Sequence, residues 1–270
     1  SSTQISGMSK NAFESYLFKD GKPMALTSLN KSDEAPFQYG HLSLKDILAV
    51  RDKRLAQTID TVLLYNGRGF TRFNTGMEST SSTGYGVAKY DNEAIPEGFR
   101  SQSGKNYTHA PLFWLSVIYL NYAEACAELG NITQDDLDKS INLLKDRAGL
   151  PHLNPIVGFS DPANNHGVSD LIWEIRRERR CELMFDNDNR YWDLIRWHQL
   201  DKLDTTKYPD IILGANVAND MDGCEANKVG KYIDGSKDGS RIYDKKHYLY
   251  PIPTGQIALN PQLAPNNPGW

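Results

Sequence analysis

The sequence predicts a mainly α-helical fold that also contains a loop-rich irregular region and a few short strands. Apolar residues recur at helical spacing within 112–147 and 169–186, which is typical of amphipathic helices. Hydrophobic residues make up 39% of the chain and the mean hydropathy is −0.56, as expected when long polar loops surround a helical core. The length of 270 residues suits one large domain, which we place over 1–270.

A helix pair over 112–147 is the clearest local prediction. The first helix should end near Leu129, where Gly130 supplies the left-handed residue that closes many helices. Thr133 is a typical N-cap for the second helix, with Asp136 three residues later. Two helices joined by a short turn resemble one tetratricopeptide unit. Because a single unit cannot bury both of its faces, it is expected to stack on other helices.

Shorter elements are predicted on either side of this pair. We expect a helix from about Ser43 to Ala49, a short strand or extended run from Thr58 to Tyr65, and a helix from about Arg190 to Leu203. Residues 66–108 are rich in Gly, Ser, Thr and Asn and should be mostly loop. The C-terminal Pro-Ile-Pro and Asn-Pro-Gly-Trp strings should be extended, because proline fixes the backbone.

The segment 169–186 is predicted to be a densely charged helix that acts as a structural clasp. Glu174, Glu178 and Glu182 recur every four residues and therefore share one helical face, beside a row of arginines. The interleaved glutamates should cancel most of the positive field, which favours a structural role over the alternative of an anion-binding arginine cluster. The residues predicted to form the clasp are Glu178, Arg180, Glu182, Arg190, Trp192, Asp193 and Arg196.

The same region, continued to Trp197, carries a family resemblance. Its strings Glu-Leu-Met-Phe at 182–185 and Arg-Tyr-Trp-Asp-Leu-Ile-Arg-Trp at 190–197 resemble the signature of the SusD/RagB family. Further similar strings are Tyr-Leu-Asn-Tyr-Ala-Glu-Ala at 119–125, Arg-Ala-Gly-Leu at 147–150, Tyr-Pro-Ile-Pro at 250–253 and Asn-Pro-Gly-Trp at 267–270. They run in the family's order over nearly the whole chain. The resemblance covers only the C-terminal half of a full-length member, so the N-terminal half is expected to be absent.

The resemblance implies a SusD-like surface lipoprotein that binds nutrients without chemical change. Its ligand would be a glycan or oligosaccharide, delivered to a SusC-like TonB-dependent transporter. The implied location is the extracellular face of the outer membrane, reached only through a lipid anchor on the absent N-terminal half.

Signals of other chemistry are few. The six histidines are scattered, and there is no phosphate-binding, dinucleotide-binding or nucleophile-elbow motif. The formal net charge of −4 argues against nucleic-acid binding. We therefore expect no enzyme activity, no metal and no cofactor. A glycoside hydrolase stays an alternative because 34 acidic residues always offer carboxylate pairs, and a tetratricopeptide-type scaffold for protein interactions is another.

Candidate sugar-binding side chains lie in a polar loop. Sugar rings present apolar C–H faces and hydroxyl edges, so a platform needs flat aromatic rings beside amide and guanidinium donors. The residues predicted to bind carbohydrate on this pattern are Tyr65, Asn66, Arg68, Phe70 and Phe73. In the family this loop region helps to build the ligand face, which the resemblance extends to these residues. The alternative is a twisted hairpin whose rings pack on the core.

Overall fold

The computed structural model is mainly helical, as the sequence predicts. It describes residues 7–29, 47–60, 81–90, 92, 94–100, 102, 104–109, 111–186, 189–216, 228–236 and 239–270. The α-helices are α1 (Lys10–Glu14), α2 (Lys53–Thr58), α3 (Glu97–Arg100), α4 (Leu115–Glu128), α5 (Gln134–Asp138), α6 (Ile141–Ala148), α7 (Asp170–Glu182), α8 (Asn189–Arg196) and α9 (Thr254–Leu259). Short 3-10 helices span Leu200–Leu203, Pro209–Ile211, Lys245–Tyr248 and Pro261–Leu263. The strands β1 (Leu213–Asn216), β2 (Lys228–Val229) and β3 (Tyr232–Asp234) form an antiparallel sheet in the order β1-β3-β2.

The predicted helix pair is present, but its second helix is divided into α5 and α6. Gly130 follows α4 with a left-handed φ of 71°, and Thr133 caps α5 in a reciprocal capping box with Asp136. Ser140 leaves the helical region, with φ −132° and ψ −98°. Its hydroxyl donates a hydrogen bond of 2.6 Å to the carbonyl of Asp136. Local side-chain bonds of this kind compete with helix continuation, which accounts for the break.

Helices α4 to α7 enclose one apolar cluster. Its buried members are Leu120, Ala123, Leu137, Ile141, Leu144, Leu153, Ile175 and Leu183. The small side chain of Ala123 is fully buried where α4 packs along α7. The helix pair therefore buries one face against α7 rather than standing alone.

A second cluster lies on another side of α7. Its buried members are Met8, Ala12, Phe13, Tyr16, Ile47, Leu48, Leu55, Ile59, Tyr85, Cys181, Ala215 and Ile233. The rings of Phe13 and Tyr85 stack with centroids 4.5 Å apart, and the sheet adds Ala215 and Ile233. Because α7 and its C-cap give Ile175 and Leu183 to one cluster and Cys181 to the other, this helix joins both cores.

The strand or extended run predicted to begin at Thr58 is wrong at that residue, which is helical. Thr58 is the last residue of α2, and its hydroxyl donates to the carbonyl of Arg54 at 2.7 Å. Ile59 forms an isolated bridge with Val87, and the rest of the prediction from residue 61 lies outside the described residues. For the helix predicted over Ser43–Ala49, residues 43–46 are also outside them, and residues 47 and 48 are helical.

Several predicted helix ends also differ. The helix predicted to reach Leu203 stops at Arg196, because His198 has a φ of 54°, and a separate 3-10 helix follows. The charged helix ends at Glu182 rather than Asp186, and Phe185 has a φ of 64°. Helix α9 lies between Pro253 and Pro261, in a region where the prolines predict extended chain, so the sequence prediction does not include it.

A buried ion-pair network ties α2 to α7. The Arg54 guanidinium contacts Asp52 at 2.7 Å and Glu182 at 2.9 Å, and it also pairs with Glu178. Lys145 on α6 approaches Glu178 to 3.7 Å. Burial lowers the pKa of Arg54, but the carboxylates of Glu178 and Asp52 outweigh that effect and hold the pKa above its usual value. Burial raises the pKa of Glu178, and Arg54 and Lys145 bring it below the usual value. Arg54 and Glu178 are therefore both held in their charged forms.

Replacing Arg54 by methionine should destabilise the fold strongly. The change leaves the buried carboxylates of Asp52 and Glu178 without their main partner, which typically costs about 3–5 kcal/mol of unfolding free energy. Urea unfolding followed by circular dichroism measures this loss.

Arg147→Met is the matched control for that variant. Arg147 also pairs with Glu182, but its side chain is 60% exposed, so its removal should cost less than about 1 kcal/mol. Equal losses for the two variants would contradict a stabilising role for the buried network.

Candidate functional site

The predicted clasp residues on α8 connect this helix to α7 and α4. Asp193 accepts a hydrogen bond of 2.7 Å from Nε of Arg179. The Arg196 guanidinium forks onto Glu124 of α4, with distances of 3.0 and 2.8 Å, and also contacts Asp193 at 3.2 Å. The indole N–H of Trp197 donates to the same Glu124 at 2.7 Å. The structure thus brings together Asp193 and Arg196, while Glu178 and Glu182 belong to the Arg54 network.

Glu124 is a central acceptor that the sequence interpretation missed. Burial raises the pKa of Glu124, but hydrogen bonds from Arg196 and Trp197 outweigh burial and lower it. Its position 72 residues from Arg196 gives no local signal of the pairing. The one sequence signal for Glu124 is that it lies in the Tyr-Ala-Glu-Ala string that carries the family resemblance.

Three other predicted clasp residues lie apart from these networks. The Trp192 side chain is 57% exposed and makes an edge contact with Tyr191 at 5.6 Å between ring centroids. Arg180 and Arg190 instead line a cavity of about 610 Å³ beside α7. This cavity is bounded by α1, by the segments 23–25 and 161–165, by α7 and α8, and by residues from 199 to 211.

The cavity contains paired and unpaired cations. Arg177 pairs with Asp161 and, at 3.0 Å, with Glu174, while Arg176 contacts Glu128 at 3.1 Å. Four further cations line it: Arg180, Arg190, Lys202 and the exposed Arg241. Within the part of the chain that the structure describes, no carboxylate lies at ion-pair distance from Arg180, Arg190 or Lys202.

Burial lowers the pKa values of these three cations, and crowding adds to the effect for Arg190 and Lys202. Burial and then the neighbouring Arg180 lower the pKa of Arg190 to about 9. Burial, followed by Arg190 and Arg180, lowers the pKa of Lys202 to about 7, although Asp201 opposes the shift. Burial also lowers the pKa of Arg180. The site therefore holds positive charge in a partly desolvated space, where Arg180 disfavours the charged forms of Arg190 and Lys202.

Two tryptophans form aromatic walls of the same cavity. The Nζ of Lys202 lies 4.6 Å from the Trp173 ring centroid, and the Arg190 guanidinium lies 5.9 Å from that of Trp197. The indole N–H of Trp173 donates to Asp161 at 3.1 Å, so this ring is fixed like that of Trp197. The arrangement presents hydrogen-bond donors between fixed aromatic faces.

The five predicted sugar-binding residues lie within 61–80, outside the described residues. They are Tyr65, Asn66, Arg68, Phe70 and Phe73. A different aromatic cleft of about 290 Å³ is described near the C-terminus, where the hydroxyls of Tyr191 and Tyr250 are 3.2 Å apart and Trp270 forms part of the wall. Its aromatic rings were predicted only as parts of extended or helical segments.

The described residues show neither a metal-binding cluster nor a membrane-spanning helix. Among these residues there is no group of three or more His, Cys, Asp or Glu side chains arranged to hold a metal ion. Among the same residues, no helix combines the length and the apolar character needed to cross a membrane.

Comparison with known proteins identifies the family. The model of the SusD family matches residues 4–270, so the chain belongs to the SusD family. A SusD-like protein from Bacteroides fragilis NCTC 9343 shares its fold with a TM-score of 0.57 and 23% identity, over 98% of this chain and 47% of that one. The selenomethionine protein BT4246 has a TM-score of 0.60 and 24% identity, over 97% of this chain and 46% of its own. The chain thus spans about half the length of these two structures. No curated protein matches it.

Replacing Lys202 by methionine should stabilise the fold, and more so at low pH. The folded-state pKa of about 7 lies below the usual 10.5, so the unfolded chain binds more protons between these values. Below pH 7 the ammonium is charged in both states, so the cost of burying it and its repulsion by Arg190 act in full. Above pH 7 the folded state loses the proton and the penalty declines.

We expect Lys202→Met to raise the unfolding free energy by about 1–2 kcal/mol at pH 6, and by less than half of that at pH 9. These values allow for the solvent that still reaches the side chain. Urea unfolding at both pH values measures them. Lys139→Met, which removes an exposed lysine paired with Asp135, is the control and should change little. An equal gain at both pH values would contradict the lowered pKa of Lys202.

Proposed function

We propose that this protein binds glycans or similar nutrient oligosaccharides without chemical change and presents them to a SusC-like TonB-dependent transporter. The observation that carries the proposal is the match of the SusD family model to residues 4–270. The fold shared with a SusD-like protein from Bacteroides fragilis supports it. In this proposal the protein works at the extracellular face of the outer membrane, as a lipoprotein held there by a lipid anchor.

The described helices would serve as the rigid support of a loop-borne binding site. Binding residues on loops need a fixed frame, because ordering a mobile loop consumes binding free energy. The networks centred on Arg54 and on Glu124 connect α2, α4, α7 and α8 through charge-assisted hydrogen bonds. On such a frame, Phe70 and Phe73 are the rings that we propose to stack on the sugar.

A scaffold for protein interactions is the second candidate. The outward face of α4 exposes 63% of Leu115 and 61% of Ile118, and Tyr122 continues the same stripe. Side chains of this type at intervals of three and four residues form a helical face that another helix can cover. This candidate predicts binding of a helical peptide and no response to glycans.

A panel of oligosaccharides titrated into the protein by calorimetry tests the first candidate. We expect binding of one glycan class, weakened about tenfold or more by Phe70→Ala and by Phe73→Ala, because each change removes a stacking surface. Phe113→Ala is the matched control: that ring is 93% exposed and lies before α4, so its loss should leave affinity unchanged.

The other outcomes of this experiment point elsewhere. Binding that persists in both variants would move the site to another surface, and the C-terminal cleft with Tyr250 and Trp270 would be examined next. Sugar products that accumulate with a bell-shaped pH profile would identify a glycoside hydrolase instead. A peptide that binds while no glycan does would support the scaffold.

A further inference from the structure

The cavity beside α7 has the features of a site for a negatively charged group. Arg180, Arg190 and Lys202 line it without a carboxylate at ion-pair distance among the described residues. We propose that this cavity is an anion-binding site, in which a carboxylate, sulfate or phosphate group of a small ligand is held by these three cations. The proposal uses none of the residues proposed to bind sugar and does not rest on the function proposed above.

Glu178 and Arg180 of α7 are directed to different sides of the helix. Glu178 and Arg180 are two residues apart, which places them about 200° apart around a helix of 3.6 residues per turn. On the side of α2 and α6, Glu178 and Glu182 form ion pairs with Arg54. Lys145 also pairs with Glu178, and Arg147 with Glu182. The cancellation expected from interleaved charges therefore does not extend to the cavity side.

The acidic side chains that line the cavity already have partners. Glu14 forms an ion pair with Lys10, and Asp161 pairs with Arg177. Asp210 accepts a hydrogen bond of 2.6 Å from the side chain of Asn11. These three acids are therefore already paired with other side chains. Arg180, Arg190 and Lys202 stay available to bind an anion.

The donors are also oriented before any ligand enters. The Asn11 side chain that donates to Asp210 accepts a hydrogen bond of 2.7 Å from Nη2 of Arg180. A guanidinium held by one nitrogen still has further N–H groups in a fixed plane, which suits the paired oxygens of an anion. Pre-orientation of this kind reduces the entropy lost on binding.

The size and walls of the cavity set the class of ligand. A volume of about 610 Å³ falls in the usual range for small-molecule sites. Trp173 and Trp197 supply apolar ring faces next to the cations, and both rings are fixed by their N–H groups. A ligand that combines an anionic group with an apolar ring face, such as a sugar acid, fits both features.

Tryptophan fluorescence and calorimetry test the proposal with sodium sulfate, sodium phosphate and sodium glucuronate as probes at constant ionic strength. We expect saturable binding of at least one probe, and none of glucose, which matches glucuronate except for the carboxylate. Arg190→Gln and Lys202→Met should each weaken binding by about tenfold or more. Arg147→Gln, an exposed arginine outside the cavity, is the control and should leave affinity unchanged.

The Lys202→Met variant separates lost binding from lost folding. Because this change should stabilise the fold, a more stable variant that binds less tightly cannot be explained by unfolding. Tighter binding of glucuronate than of sulfate and phosphate would indicate a sugar-borne anion, and the reverse order an inorganic oxyanion; both support the site. Absence of saturable binding for all three probes, or unchanged affinity in both variants, would overturn it. Either result leaves the glycan-panel experiment unaffected.

Discussion

The buried ion pair between Arg54 and Glu178 is the interaction on which the rest of the structure depends. It joins α2 to α7, which among the described helices is the one that contributes to both apolar clusters. A charge removed from water is costly unless its partner is in place, so the pair requires α2 and α7 to meet in one register. Lys145 and Glu182 extend the same requirement to α6. Charge pairing thus fixes the arrangement, while the apolar clusters supply the burial that drives folding.

Helix α7 separates two electrostatic environments. On one side Glu178 and Glu182 are matched by cations from neighbouring elements, and the pKa of Glu178 is held below its usual value. On the other side the cations of α7 and α8 crowd together, and the pKa of Lys202 falls to about 7. Ion pairs on the first side hold the helices together, whereas the cations without carboxylate partners on the second side attract an anion. One helix therefore supplies both the frame and the proposed anion site.

Membership of the SusD family sets the functional context but not the ligand. The two solved structures share the fold at 23% and 24% identity and are about twice as long as this chain. Specificity in such proteins has to be argued from particular side chains, because one fold hosts many ligands. The glycan proposal and the anion proposal rest on different residues. A ligand with both sugar rings and acidic groups would match the chemistry of either proposed site.

Local sequence signals were sufficient for the fold class and for several element boundaries. The left-handed Gly130, the capping box at Thr133 and the four-residue recurrence of Glu174, Glu178 and Glu182 all depend on neighbours within one helical turn. The break at Ser140 was missed because propensity favoured continuation. Helix α9 was missed because its flanking prolines dominated the interpretation.

The long-range pairings were decided only by tertiary structure. Glu124 meets Arg196 across 72 positions, and Arg54 meets Glu178 across 124. Spacing along the chain shows which residues share a face, but it does not show which face of another element will cover it. For the same reason, the sequence could list the arginines of α7 and α8 but could not separate those with carboxylate partners from those that line a cavity. That separation depends on how helices pack, and packing is a property of the assembled chain.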